Sequence, residues 1–255
     1  MKNRFTTILA SALLALCWLM PVQADEHGGD VAMAAMITAK SGHESELLDA
    51  IEAYHKWVAQ FDGHMEFNWY EVMTGPNTGQ FVARTGGHHW ADFDAEYDWQ
   101  EEAGENFEKN VAPHIDSITV QMTKDMPDVS HWPEDFEGYN MYQVEDWYIK
   151  NGQYGAFNKG LKRIVDALKA GGFPHYFGFS SVESGGYGGQ LSLVLPNKGW
   201  AGMDSSDPSF ASIMIKELGG EDEFNTFMAE WGDTFKTGTN RMVKYLPDAS
   251  DYGND

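Results

Sequence analysis

The stretch Gly75-Pro76-Asn77-Thr78-Gly79-Gln80-Phe81 returns 110 residues later as Gly185-Gly186-Tyr187-Gly188-Gly189-Gln190-Leu191. Outward from this glycine-bracketed turn the same offset aligns Val72 with Val182, Phe67 with Phe177, Gly42 with Gly152 and Lys40 with Lys150. In the other direction it aligns Trp90 with Trp200, Ala91 with Ala201 and Asp94 with Asp204. Together with the three glycine and glutamine pairs these are ten identities without a gap, where unrelated sequence gives roughly three. A second block, Met122, Lys124, Pro127, Asp128 and Ser130, reappears as Met242, Lys244, Pro247, Asp248 and Ser250 at an offset of 120. The second copy therefore carries about ten extra residues between Asp204 and Met242.

Each copy changes hydrophobic period in the same order. Val31 to Thr38 is a short apolar run, and Gly42 breaks the chain before a stretch in which Leu47, Leu48, Ile51, Tyr54, Val58 and Phe61 recur at spacings of three and four. That spacing predicts an amphipathic helix with one face to bury, as do Phe157, Leu161, Ile164, Val165 and Leu168 in the second copy. Met65, Phe67 and Trp69 then alternate with Glu66, Asn68 and Tyr70, and the glycine turn leads into Phe81 to Thr85, the pattern of a hairpin. A second helical region follows, at about 92–112 and about 208–236, and a last strand closes each copy. The order β-α-β-β-α-β is the split βαβ, ferredoxin-like unit, so the fold class is α+β. Two helices cover one face of a four-stranded sheet, and the tandem copy is the natural partner for the other.

The first 24 residues read as an export signal. Lys2 and Arg4 open it, Ile8 to Met20 is apolar but too short to span a bilayer, and Val22-Gln23-Ala24 is a small-residue cleavage site. The single cysteine, Cys17, lies inside it, so the mature chain is expected to carry no disulfide and no thiol ligand. The partition expected is a signal peptide at 1–24, a first repeat at 25–127, a linker rich in Asp, Glu and Pro at 128–139, a second repeat at 140–248 and an acidic tail at 249–255. Removing residues 1–24 takes away two positive charges and no negative ones, leaving 231 residues with net charge −24. Such a surface repels nucleic acid and anionic lipid, and the expected location is periplasmic or secreted.

The Lys-x-Gly at Lys40 and Gly42, the Gly-Pro-Asn-Thr-Gly-Gln turn at Gly75 to Gln80 and the Trp-Ala-Asp-Phe-Asp helix start at Trp90 to Asp94 resemble the dimeric α/β-barrel superfamily, in particular proteins similar to antibiotic-biosynthesis monooxygenases. The resemblance implies two tandem repeats packed as an internal dimeric α/β barrel, with a pocket between sheet and helices. Members include cofactor-free oxygenases acting on phenols, haem-degrading enzymes and chlorite dismutases, so a small hydrophobic or aromatic ligand is implied and haem is a candidate cofactor. The chain departs from the haem-handling patterns. Ala35 and Glu145 stand where haem-degrading members carry an asparagine, and His175 is the only histidine in the second repeat, from which chlorite dismutases take their proximal ligand.

Seven of the nine histidines lie between His43 and His131. His55 occupies the stripe position that is Val165 in the second copy, and His114 follows Phe107 and Val111 on the expected face of the second helix, where the second copy has Thr234. An inward histidine is more often a hydrogen-bonded core residue than a ligand. Tyr70 and Arg84, on the hairpin strands, and Trp90 complete the set of candidate ligand-binding residues with His55 and His114. Glu52 and His55 have Glu-x-x-His spacing but no second such motif, and no metal site is expected. No Walker loop, dinucleotide fingerprint, Gly-x-Ser-x-Gly or His-Glu-x-x-His occurs. Two functions remain: an exported small-molecule-binding or scaffold protein without catalysis, and an oxygenase-like enzyme or haem binder using a pocket in the first repeat. Nothing in the pattern fixes an oligomeric state. N-terminal sequencing of the protein from its native cell should begin at Asp25, and retention of Met1 or a lipid on Cys17 would contradict the export signal.

Overall fold

The structure, a computed structural model, describes residues 28–133 and 137–250. The export signal with Cys17 and residues 251–255 of the acidic tail lie outside the described residues. The elements run β1 (Val31–Ala39), α1 (Glu44–Val58), β2 (Asn68–Val72), β3 (Phe81–His88), α2 (Gln100–Asn110), β4 (Ile115–Asp125), β5 (Met141–Ile149), α3 (Tyr154–Ala170), β6 (Gly178–Ser184), β7 (Gln190–Asn197), α4 (Phe210–Leu218), α5 (Glu221–Gly232) and β8 (Phe235–Tyr245). This is a mixed α+β fold with antiparallel strand pairing. The chain divides into two compact units. The first holds the described residues up to 72, 79–122 and those from 245; the second holds 73–78 and 123–244.

In the first unit β3 lies between β1 and β2, and the register sets Ala35 opposite Ala83 and Ala83 opposite Trp69. Two alanines and a tryptophan thus form one row across three strands. Helix α1 lays Leu47, Ile51, His55 and Val58 toward this sheet, with Glu44 and Glu46 in its first turn and Lys56 in its last, each sign at the end of the helix dipole that favours it.

In the second unit β5 lies between β8 and β7, and β7 between β5 and β6. The corresponding row is Glu145, Leu193 and Phe179. Helix α3 buries Phe157, Leu161, Val165 and Leu168. Gly160 on the same helix lets the Trp231 indole come so close that a Cβ there would sit 2.2 Å from its Cδ1. Trp231 Nε1 donates to the Phe157 carbonyl at 3.0 Å. Its ring stacks on Phe157 at 5.6 Å between centroids and meets Phe235 at 4.9 Å and Trp147 at 5.7 Å. Such aromatic clusters combine large apolar burial with favourable edge and stacked contacts.

Several hydrogen bonds recur at positions that the sequence offset aligns. The Lys40 amide donates to the His114 carbonyl and the Lys150 amide to the Thr234 carbonyl. The segment after each closing strand repeats as well. In the first unit the Leu246 amide donates to the Trp69 carbonyl at 2.8 Å, and Ser250 Oγ accepts from the Trp69 amide at 2.8 Å. In the second unit the Met126 amide donates to the Phe179 carbonyl at 2.8 Å, and Ser130 Oγ accepts from the Phe179 amide at 2.9 Å.

The structure differs from the pattern in three places. The region 92–112 is not one helix: Trp90–Phe93 is a 3-10 turn closed by the Asp92 carboxylate on the His89 amide at 2.7 Å, and α2 begins only at Gln100. The region 208–236 is two helices, α4 and α5, broken at Gly219, whose φ of 96° ends α4 in the left-handed region. Strand β2 starts at Asn68 rather than Met65, and His64 Nδ1 lies 2.8 Å from the Phe61 carbonyl in a curled approach. Residues 127–130, at the start of the expected linker, form a 3-10 turn and the Ser130 clamp of the second unit.

Trp231→Ala should cost about 3–5 kcal/mol in denaturant unfolding, because a large ring leaves a filled site. A loss under about 1 kcal/mol would show that the cluster can close over the gap.

Candidate functional site

The row Ala35–Ala83–Trp69 sets two small side chains on the sheet where the second unit has Glu145 and Leu193. Where the first copy carries Ile37 and Val111, the second has Trp147 and Trp231. The result in the first unit is a cavity of about 120 Å³, bounded by the sheet, α1, the 63–67 loop and the start of α2. Its wall is mostly aromatic. Tyr54 meets Phe107 edge-on at 5.5 Å, the His55 imidazole lies 6.4 Å from Phe67 at an interplanar angle of 26°, and Trp69 is 5.9 Å from His55. Tyr97 and Trp99 stack at 5.4 Å and also reach the cavity. Gly63, with φ of 78°, brings the chain against the Tyr97 ring so closely that a Cβ would lie 2.4 Å from its Cζ. Any side chain there would displace that ring.

The polar groups on the wall fall into two kinds. Asp92 is bonded to the His89 amide, His64 lies against the Phe61 carbonyl, and Gln100 Nε2 donates to the Ala95 carbonyl at 3.2 Å. Trp69 is different: it is 3 % exposed, and its Nε1 has no hydrogen-bond acceptor among the described residues. A buried indole N–H without an acceptor is costly.

No protein-family model matches the chain, and no curated protein matches it. Solved structures do. A chlorite dismutase from Candidatus Nitrospira defluvii, in a mutant form, is 9% identical over 87% of this chain and 93% of its own, with a TM-score of 0.51. A candidate monooxygenase from Fusobacterium nucleatum is 10% identical over 86% and 94%, with a TM-score of 0.50. The chain shares the fold of these two structures. At these identities the likeness describes the fold, and the ligand has to be read from the residues of this chain.

Of the five candidate residues, the structure brings only His55 to the cavity; it is 9 % exposed and sits on the α1 face beside Trp69. Tyr70 and Arg84 follow Trp69 and Ala83 on β2 and β3, so strand alternation turns them to the opposite side of the sheet. There burial pushes the Tyr70 phenol up to about 12, partly opposed by the Arg84 charge, and its ring packs 5.7 Å from Tyr245. Trp90 is 48 % exposed on its 3-10 turn. His114 is not on a buried helical stripe: with Pro113 it ends a 3-10 turn beyond α2, and its Nδ1 faces His43 Nδ1 at 3.1 Å, outside the cavity wall. The pattern missed Trp69, Tyr54, Tyr97 and Trp99 as wall residues, although Trp69 already stood in the alternation with Met65 and Phe67.

Drug-sized ligands occupy pockets of roughly 300–1,000 Å³, and a haem macrocycle is a large guest on that scale. The residues around His55 do not fit haem: the space is about 120 Å³, and the Phe67 and Trp69 rings pack directly beside the imidazole. Glu52 of the Glu-x-x-His pair is engaged by Lys56. Among the described residues no group of three or more His, Cys, Asp or Glu is placed to hold a metal ion.

Tyr70 supplies a pH test. A folded-state value above the unfolded value of about 10 means that the neutral phenol is favoured by the fold, so its stabilisation is present below pH 10 and is lost as pH rises toward 12. Absorbance titration should show one tyrosine ionising near pH 12 that disappears in Tyr70→Phe. An unchanged titration curve in that variant would contradict the assignment.

Proposed function

We propose that this protein binds a single-ring aromatic molecule bearing an acceptor oxygen, a phenol or quinone, in the cavity of its first unit, and holds it without transforming it. One observation carries the reading: the buried Trp69 N–H has no acceptor among the described residues, and its ring stands with Tyr54, Phe67, Tyr97, Trp99 and Phe107 in the wall of a space of about 120 Å³. A cavity of about 150 Å³ lined by apolar side chains takes benzene, so a space of this order suits one ring. Asp92, His64 and Gln100 on the wall are engaged within the protein, which favours holding over chemistry at those groups. Export to the periplasm or medium, and two ferredoxin-like repeats of one duplicated unit packed as an internal barrel, belong to the same proposal. The matched hydrogen bonds of the two copies and the fold likeness support the second point. A second reading, a cofactor-free oxygenase acting on the same ring, draws support from His55, the buried imidazole in the wall beside Trp69.

Calorimetric titration with phenol and with toluene tests the binding. Trp69→Phe should weaken phenol roughly three- to tenfold and leave toluene within about twofold, while the melting temperature holds or rises because an unpaired buried donor is gone. Ala35→Leu should abolish both by filling the floor. Equal losses for the two ligands in Trp69→Phe, or no binding by the unaltered protein, would contradict the proposal. Oxygen uptake in the presence of phenol would favour the second reading.

A further inference from the structure

The indole that faces the cavity is held from behind by a part of the chain far away in sequence. Trp69 pairs with Ala83 on β3, yet its own amide and carbonyl do not close that pair: the amide donates to Ser250 Oγ at 2.8 Å, and the carbonyl accepts from the Leu246 amide at 2.8 Å. Ser250 Oγ in turn donates to the Leu246 carbonyl at 2.8 Å, which closes the segment 246–250 into a clamp. Ser250 is 3 % exposed, and Ala249 and Leu246 pack into the same apolar cluster as Ala35, Ile51 and Trp69. With Trp69 itself buried, removal of the clamp would leave a backbone amide and carbonyl without partners in the interior.

We propose that Ser250, with the Leu246 amide, is the positioning element of the ligand site: it fixes the backbone of Trp69 and through it the direction of the indole N–H. This rests on the ligand-binding reading of the cavity. A donor that is to meet one acceptor atom must be held to within a fraction of an ångström, and residues behind the contact supply that precision. Two backbone bonds at one residue fix both the position and the tilt of the peptide planes from which the Trp69 side chain springs.

The second copy supplies an internal control. The same three bonds recur in the second unit: Ser130 Oγ accepts from the Phe179 amide at 2.9 Å and donates to the Met126 carbonyl at 2.8 Å, and the Met126 amide donates to the Phe179 carbonyl. Phe179 belongs to the filled cluster with Trp147. Ser250→Ala and Ser130→Ala therefore remove equivalent bonds, one behind the cavity and one behind a packed core, and a purely structural role predicts equal consequences.

The test uses the full chain. The Trp69 indole resonance, assigned by its absence in Trp69→Phe, is followed by NMR without ligand, and phenol affinity is measured alongside. Ser250→Ala should shift that resonance and weaken phenol roughly tenfold, Ser130→Ala should do neither, and Ser250→Thr, which keeps the hydroxyl, should restore both. Ser250→Cys, a milder change, serves if the alanine variant does not fold. A resonance that moves in both alanine variants, or in neither, overturns the positioning role. Failure of the unaltered protein to bind phenol would sink the ligand reading alone, since the resonance comparison is made without ligand.

Discussion

Space inside a protein is filled at nearly crystalline density, so which side chains meet above a sheet decides whether a unit is a core or a container. In the second unit Trp147 and Trp231 come within 5.7 Å of each other and lock against Phe157 and Phe235. In the first unit the same positions carry Ile37 and Val111, and the row beside them is floored by Ala35 and Ala83. The backbone design is repeated while the filling is not. What distinguishes the first unit follows from that difference in volume: the cavity, the Trp69 ring in its wall, and the burial of His55 beside it.

The backbone closure of each unit rests on a repeated tail segment. The pairs Met126 and Ser130, and Leu246 and Ser250, hold the amide and carbonyl of Phe179 and of Trp69. Polar backbone groups buried at a strand have to be bonded by something, and here a serine hydroxyl and one amide do it in both units. Of the described residues, 245–250 belong to the first unit, so the backbone of Trp69 in its cavity wall is held by a segment 181 residues away in sequence.

Much of the backbone was legible in the residues. Apolar spacing at Leu47, Ile51 and Val58 marks α1, and the equivalence of His55 with Val165 marks that histidine as inward. The repeated Pro-Asp-x-Ser block was visible too, but its destination was not, because the partners of Ser130 and Ser250 lie 49 and 181 residues away. His114 was misplaced because helical spacing was carried through Pro113, where the chain changes to a 3-10 turn and swings the ring toward His43. Tyr70 and Arg84 were read as ligand residues without knowing which face of the sheet is hollow. Alternation separates two faces, but the small residues that hollow one of them, Ala35 and Ala83, look unremarkable until the register sets them side by side.

The central claim is that one unit is hollow and its twin is filled. Diffraction from crystals pressurised with xenon, which enters dry apolar cavities, measures this without any assumption about the natural ligand. The account predicts a xenon atom in the first unit among Tyr54, His55, Trp69 and Ala83, and none within the Trp147–Trp231 cluster. Xenon in the second unit's cluster, or a first unit that excludes it, would contradict the account.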